Sequence, residues 1–118
     1  MAKRVLIVED ERPLAHALEL KLKHEGFDAT VASNGADGLR LIEEGGFDVV
    51  LLDMMMPVMN GFQVLQELQK KDNKPIVFVL SNLSQHEDES RVIAAGAKKY
   101  FIKSDTPLSV IIDEVKNA

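Results

Sequence analysis

The chain has 118 residues, no cysteine and a formal net charge of −5. That length gives one domain over residues 1–118, large enough to bury a core without disulfides or a zinc–thiolate site. The acidic balance argues against direct nucleic-acid binding, and no apolar run approaches the roughly 18 residues of a membrane span. Met1-Ala2-Lys3-Arg4 leads only into a strand-length apolar run, so no signal peptide and a cytoplasmic location are expected.

Val5-Leu6-Ile7-Val8 is the first apolar run, and it ends in two carboxylates, Glu9 and Asp10. Pro13 opens a helix in which Leu14, Leu18 and Leu22, with Ala17 beside them, face a sheet. Gly26 is the expected C-cap. Asp28–Ala32 is a more polar strand and so a candidate sheet edge. The next helix runs from Asn34 to Glu44, burying Ala36, Leu39 and Ile42, and Gly45-Gly46 ends it.

Val49–Leu52 is the second apolar run. Its shortness and its Val and Leu content mark a strand buried on both faces, with Asp53 directly at its end. Pro57 forces the chain out of the sheet, and Asn60-Gly61 turns it into a helix over Phe62–Lys71 that packs Leu65 and Leu68. Ile76–Leu80 is the third apolar run and ends in Ser81. Ser84-Gln85-His86-Glu87 is a capping box opening a helix whose stripe of Val92, Ile93 and Ala95 is thin, capped by Gly96. Lys98–Ile102 forms a fifth strand, followed by Lys103. Thr106 as N-cap and Pro107 as first helical residue start the last helix, with Leu108, Ile111, Ile112 and Val115 buried.

This is β-α repeated five times. Right-handed crossovers then favour an α/β, doubly wound parallel sheet. The three most apolar strands should be central and the second and fifth at the edges, which is the flavodoxin-like (βα)5 order 2-1-3-4-5.

Four of the five strands end in a side chain suited to phosphate chemistry: Glu9 and Asp10, Asp53, Ser81 and Lys103. A parallel sheet brings these ends to one rim. Converging carboxylates are kept together mainly to hold a hard cation, and an open three-carboxylate set suits Mg²⁺ shared with a phosphate. A lysine and a hydroxyl aimed at the same point would stabilise a phosphoryl group, with the central Asp53 as nucleophile.

These residues resemble the receiver domain of two-component response regulators over essentially the whole chain. The resemblance rests on Glu9-Asp10, the run Asp53-x-x-Met56-Pro57-x-Met59-x-Gly61, Ser81, and Ala94-Ala95-Gly96-Ala97 leading to Tyr100 and Lys103. It implies that Asp53 is the phosphoacceptor, fed by a sensor histidine kinase, a phosphotransfer protein or a small phosphodonor. It implies that Asp10, Asp53 and the Met55 backbone carbonyl ligate Mg²⁺ (or Mn²⁺), with Glu9 acting through a water. Ser81 and Tyr100 are the implied switch pair, and Lys103 the implied phosphate partner. The implied protein is a phosphorylation-controlled switch for a downstream effector, catalysing only its own phosphorylation and dephosphorylation. The moving surface is expected to be the Ser84 helix, the Tyr100 strand and the last helix.

Two positions depart from the family pattern. Ser104 follows Lys103 where proline is usual, so a trans or a strained peptide bond is expected there. Asn82-Leu83 follows Ser81 where a small residue is more frequent. Two other readings differ in kind. One is a phosphorylation-independent interaction module, against which the complete acidic, hydroxyl and lysine set argues. The other is an aspartate-nucleophile phosphatase, which would place a second aspartate where this chain has Met55. His16, His24 and His86 lack metal-ligand spacing, and Met54–Met56 read as packing under the loop. Lys98, Lys99, Asp113 and Lys116 do not form the complementary pattern expected of a symmetric dimer of DNA-binding regulators.

Overall fold

Five strands alternate with five helices in a computed structural model that describes residues 3–56, 58–82 and 86–118, with residues 86–88 by backbone alone. The elements are β1 (Arg4–Val8), α1 (Arg12–His24), β2 (Asp28–Ala32), α2 (Gly35–Glu44), β3 (Val49–Asp53) and α3 (Gly61–Leu68). They continue with β4 (Ile76–Ser81), α4 (His86–Ala94), β5 (Lys99–Ile102), a 3₁₀ turn at Lys103–Asp105 and α5 (Leu108–Lys116). All strand pairs are parallel and the order is β2-β1-β3-β4-β5, as the apolar character of the first, third and fourth strands predicts.

Strand alternation divides the core into two layers. Leu6, Val8, Val50, Leu52, Val77 and Val79 pack with Leu39 and Ile42 of α2, Val64, Leu65 and Leu68 of α3 and Val92 of α4. Val5, Ile7, Val49, Leu51, Phe78 and Leu80 pack with Ala15, Leu18 and Leu22 of α1 and Ile111, Ile112 and Val115 of α5. Central strands buried on both faces have no polar side to show, which is why they are continuous apolar runs.

The helix starts follow capping chemistry. Asn34 accepts from the Asp37 amide at 2.8 Å, and Asn60 and Gln63 form a reciprocal capping box. Several local expectations need correction. Ala15 rather than Ala17 joins Leu18 and Leu22 under α1, because the spacing i, i+3, i+7 defines the inward face. Glu25 stands at the C-cap of α1 and Gly26 one residue beyond, at φ 91°. Ala36 is only half-buried, while Gly35 and Gly38 take the inward positions of α2. The regular part of α3 stops at Leu68; the Lys70 and Lys71 amides bond to Glu67 and Leu68 instead, a tightened final turn.

Lys98 lies just before β5, although its amide still bonds to the Val77 carbonyl. Thr106 does not cap α5: its hydroxyl donates to the Ile102 carbonyl at 2.8 Å. Pro107 is the N-cap instead, its carbonyl accepting from Val110. The expected capping box at Ser84 lies outside the described residues. On α4, Val92 is buried, Ala95 beyond its end packs on the same core, and Ile93 points outward at 42% exposure. The apolar stripe is thinner still than the sequence implied.

Candidate phosphoryl-transfer site

Three strand ends build the site. Glu9 follows β1, Asp53 closes β3 and Ser81 closes β4, and these three are buried polar side chains at a sheet rim. Such burial is costly unless the groups are paired. Lys103, just past β5 and 10% exposed, supplies the pairing. Its Nζ lies 2.7 Å from Glu9 Oε1, 2.9 Å from Glu11 Oε2 and 3.3 Å from Asp53 Oδ1.

The remaining contacts hold the acids in place. The Met55 amide donates to Asp53 Oδ1 at 3.2 Å, and the Glu11 amide donates to Glu9 Oε2 at 3.0 Å. Gly61 lets the loop after β3 fold back against the strand end, because a Cβ there would lie 2.5 Å from the Asp53 carbonyl oxygen and 2.6 Å from Met54 Sδ. Met54 is buried beneath this loop, whereas Met55 is 63% exposed. The three methionines therefore do not share one packing role.

Burial raises the Asp53 carboxyl from 3.8 to about 7, helped by the negative charge of Glu9 and a side-chain hydrogen bond with it. Lys103 and the Met55 amide oppose that rise without cancelling it. For Lys103, burial pulls the ammonium down, but its close contacts with Glu9 and Glu11 and the charges of Asp53 and Glu9 outweigh it. The net shift is upward. The lysine is a fixed cation at any working pH.

One carboxylate oxygen each from Glu9, Asp10 and Asp53 lies within 4.8 Å of the others. Glu9 Oε1 is fully buried and, despite its short ionic contact with Lys103, has no aligned hydrogen bond. An all-oxygen donor set with a spare buried lone pair fits a hard divalent cation. A cavity of about 160 Å³ opens beside it, lined by Asp10, Glu11, Asp53, Met55, Asn82 and Lys103.

Every strand-end residue singled out from the sequence thus lies at this rim, with one distinction. Ser81 is fully buried outside the cavity lining. Alternation along β4 turns it to the face of Val79, whose register partner is Tyr100. Tyr100 is half-buried on the same side of the sheet as α4. The Lys103–Ser104 bond is trans, as a non-proline residue there should make it. Glu11 escaped the sequence reading. Its signal was its place directly after Glu9-Asp10, but an acid at the exposed N-cap of a helix usually faces water.

Comparison with known proteins agrees with this geometry. Residues 5–114 match the family model of the response regulator receiver domain. An uncharacterized transcriptional regulatory protein, YkoG of Bacillus subtilis (strain 168), is 39% identical over 99 residues, 84% of this chain and 43% of the relative. The chain therefore spans less than half the length of that relative. The receiver domain of the Francisella response regulator 1452 superimposes with a TM-score of 0.92 at 30% identity, covering 98% of this chain and 94% of that one. The Thermotoga maritima response regulator TrrA, in complex with Mg²⁺-BeF, gives a TM-score of 0.84 at 30% identity, covering 98% and 97%. With its 2-1-3-4-5 sheet and its acidic cluster at the strand ends, the chain belongs to the response regulator receiver domain family.

Proposed function

We propose that the chain, as a single receiver unit, is a phosphorylation-controlled signalling switch with Asp53 as phosphoacceptor. The observation that carries this reading is the buried Asp53 carboxylate, set between a fixed ammonium and two further acids beside an open cavity. In the transfer, Asp53 Oδ attacks the phosphorus of a phosphohistidine or a small acyl phosphate. An O–P bond forms, the donor's N–P or O–P bond breaks, and the leaving group departs with the electron pair. The reading expects a sensor histidine kinase or phosphotransfer protein as donor and an effector protein or domain as target. TrrA binds Mg²⁺-BeF on a related fold.

Glu9, Asp10 and Asp53, with the Met55 backbone carbonyl, would hold Mg²⁺ (or Mn²⁺) here, Glu9 through a water. When bound, such an ion supplies positive charge that ionises the carboxyl and offsets phosphoryl oxygens. Lys103 carries the remaining compensation. Ser81 offers a hydroxyl from the neighbouring strand end. Because Ser81 and Tyr100 share the α4 side of the sheet, a turn of the hydroxyl toward Asp53 vacates space that the tyrosine ring can take. Differences between the two states would then appear on α4, β5 and α5. Among the described residues of α4, only Val92 is fully buried, so this helix is weakly held and free to respond.

Incubation with acetyl phosphate and Mg²⁺, followed by intact-mass measurement, tests the reading. One added phosphoryl group is expected, absent in EDTA and in Asp53→Asn. An adduct that survives Asp53→Asn would sink it. No helix among the described residues is long and apolar enough to cross a membrane.

A further inference from the structure

We infer that Glu11 is a latch that holds Lys103 in the resting state and sets how readily the site accepts a phosphoryl group. The inference rests on the phosphoacceptor reading above and concerns the regulation of that same site. Lys103 has three N–H donors and no acceptor, and three carboxylates crowd its ammonium. Of these contacts, the one with Glu11 is an aligned hydrogen bond at 2.9 Å, made across 92 positions of sequence. A phosphoryl oxygen arriving at Asp53 must compete for the same ammonium.

Burial decides which carboxylate gives way. The Glu9 side chain is 1% exposed, and releasing it would leave a buried anion without a counter-charge. Asp53 is itself the group being modified. Glu11 is 54% exposed and lines the cavity, so water can take over its oxygens at small cost. The rest of Glu11 is also arranged for this role. It occupies the N-cap of α1 yet makes no side-chain capping bond, and its amide is tied to Glu9 Oε2, which fixes the backbone while leaving the carboxylate uncommitted to the helix. Glu11 therefore acts through Lys103 as a positioning residue.

Releasing a partly exposed ion pair of this kind is worth roughly a two- to fivefold change in affinity. Full-length chain is compared as wild type, Glu11→Gln and Asp105→Asn. The last removes one negative charge from the 3₁₀ turn beside Lys103 without touching its ammonium contacts. Beryllium fluoride affinity and acetyl phosphate uptake are measured at saturating Mg²⁺, with Mg²⁺ affinity and the NMR signal of the Lys103 ammonium measured separately.

The latch predicts that Glu11→Gln binds beryllium fluoride about two- to fivefold more tightly and takes up phosphoryl groups correspondingly faster. Its Lys103 ammonium signal should weaken through faster exchange with water, while Asp105→Asn stays near wild type. General electrostatics alone would move both variants together and would weaken Mg²⁺ binding in Glu11→Gln. Equal gains in the two variants, or no gain in Glu11→Gln, overturn the latch. If no variant takes up either phosphoryl group or fluoride, the phosphoacceptor reading fails first, and the ammonium signal still reports whether Glu11 holds Lys103.

Discussion

Replacing Asp53 by asparagine should stabilise the metal-free protein, and the gain should grow with pH. Asn keeps the shape and can still accept from the Met55 amide, but it carries no charge into a site that resists one. The folded carboxyl holds its proton up to about 7, against 3.8 unfolded. Between these values the folded state binds more protons than the unfolded state, so stability falls as pH rises. The favourable contribution is complete below 3.8 and fully lost above about 7. At 1.36 kcal/mol per pH unit, the whole rise corresponds to about 4 kcal/mol. The opposing pull of Lys103 is already contained in that rise, so the benefit should be about 4 kcal/mol at pH 8. The gap should narrow by about 3 kcal/mol on going to pH 5, where most of the penalty in the wild type is not yet incurred. Urea titrations of both proteins in EDTA at pH 5 and pH 8 measure this. Saturating Mg²⁺ should then recover much of the wild-type deficit, through binding that Asn weakens. Equal midpoints at pH 8, or a gap that shrinks as pH rises, would refute the electrostatic account of the site.

Other perturbations follow from the same geometry. Lys103→Met leaves Glu9 and Asp53 buried without their cation and should cost about 3–5 kcal/mol by urea unfolding in EDTA. Asp53→Asn in the same chain should return part of that loss. Gly61→Ala forces the β3–α3 loop away from Asp53 and Met54; we expect about 2 kcal/mol of destabilisation and weaker Mg²⁺ binding by calorimetry. Val58 is a β-branched residue at φ 70° and 83% exposed, so Val58→Gly should relieve the backbone and raise stability by about 1 kcal/mol while leaving the core undisturbed. Unchanged stability there would mean the loop relaxes in solution. Val92→Ala should increase amide exchange in α4 well before it affects α1, as read by hydrogen–deuterium exchange.

The architecture was legible because three strands are apolar on both faces. Val5–Val8, Val49–Leu52 and Ile76–Leu80 could only be central, and that choice fixed the order of the sheet. The rim followed from topology, since parallel strands put Glu9, Asp53, Ser81 and Lys103 at one edge whatever their side chains do. Details depending on a single rotation or bond were not legible. Thr106 looks like an N-cap in sequence, but nothing local shows that its hydroxyl is taken by Ile102. Ala15 and Ala17 are equally apolar, and only the phase of α1 against the sheet selects one. Glu11 was hidden for a different reason: its partner is 92 residues away, and only the fold brings an exposed N-cap acid to the lysine.

The most direct test of the central claim is to locate the acyl phosphate chemically. Protein treated with acetyl phosphate and Mg²⁺ is reduced with borohydride, which converts a phosphorylated aspartate to homoserine, and its peptides are sequenced by mass spectrometry. The account predicts homoserine at position 53 and at no other acid. Reduction at Glu9, Asp10 or Glu11, with Asp53 intact, would contradict it.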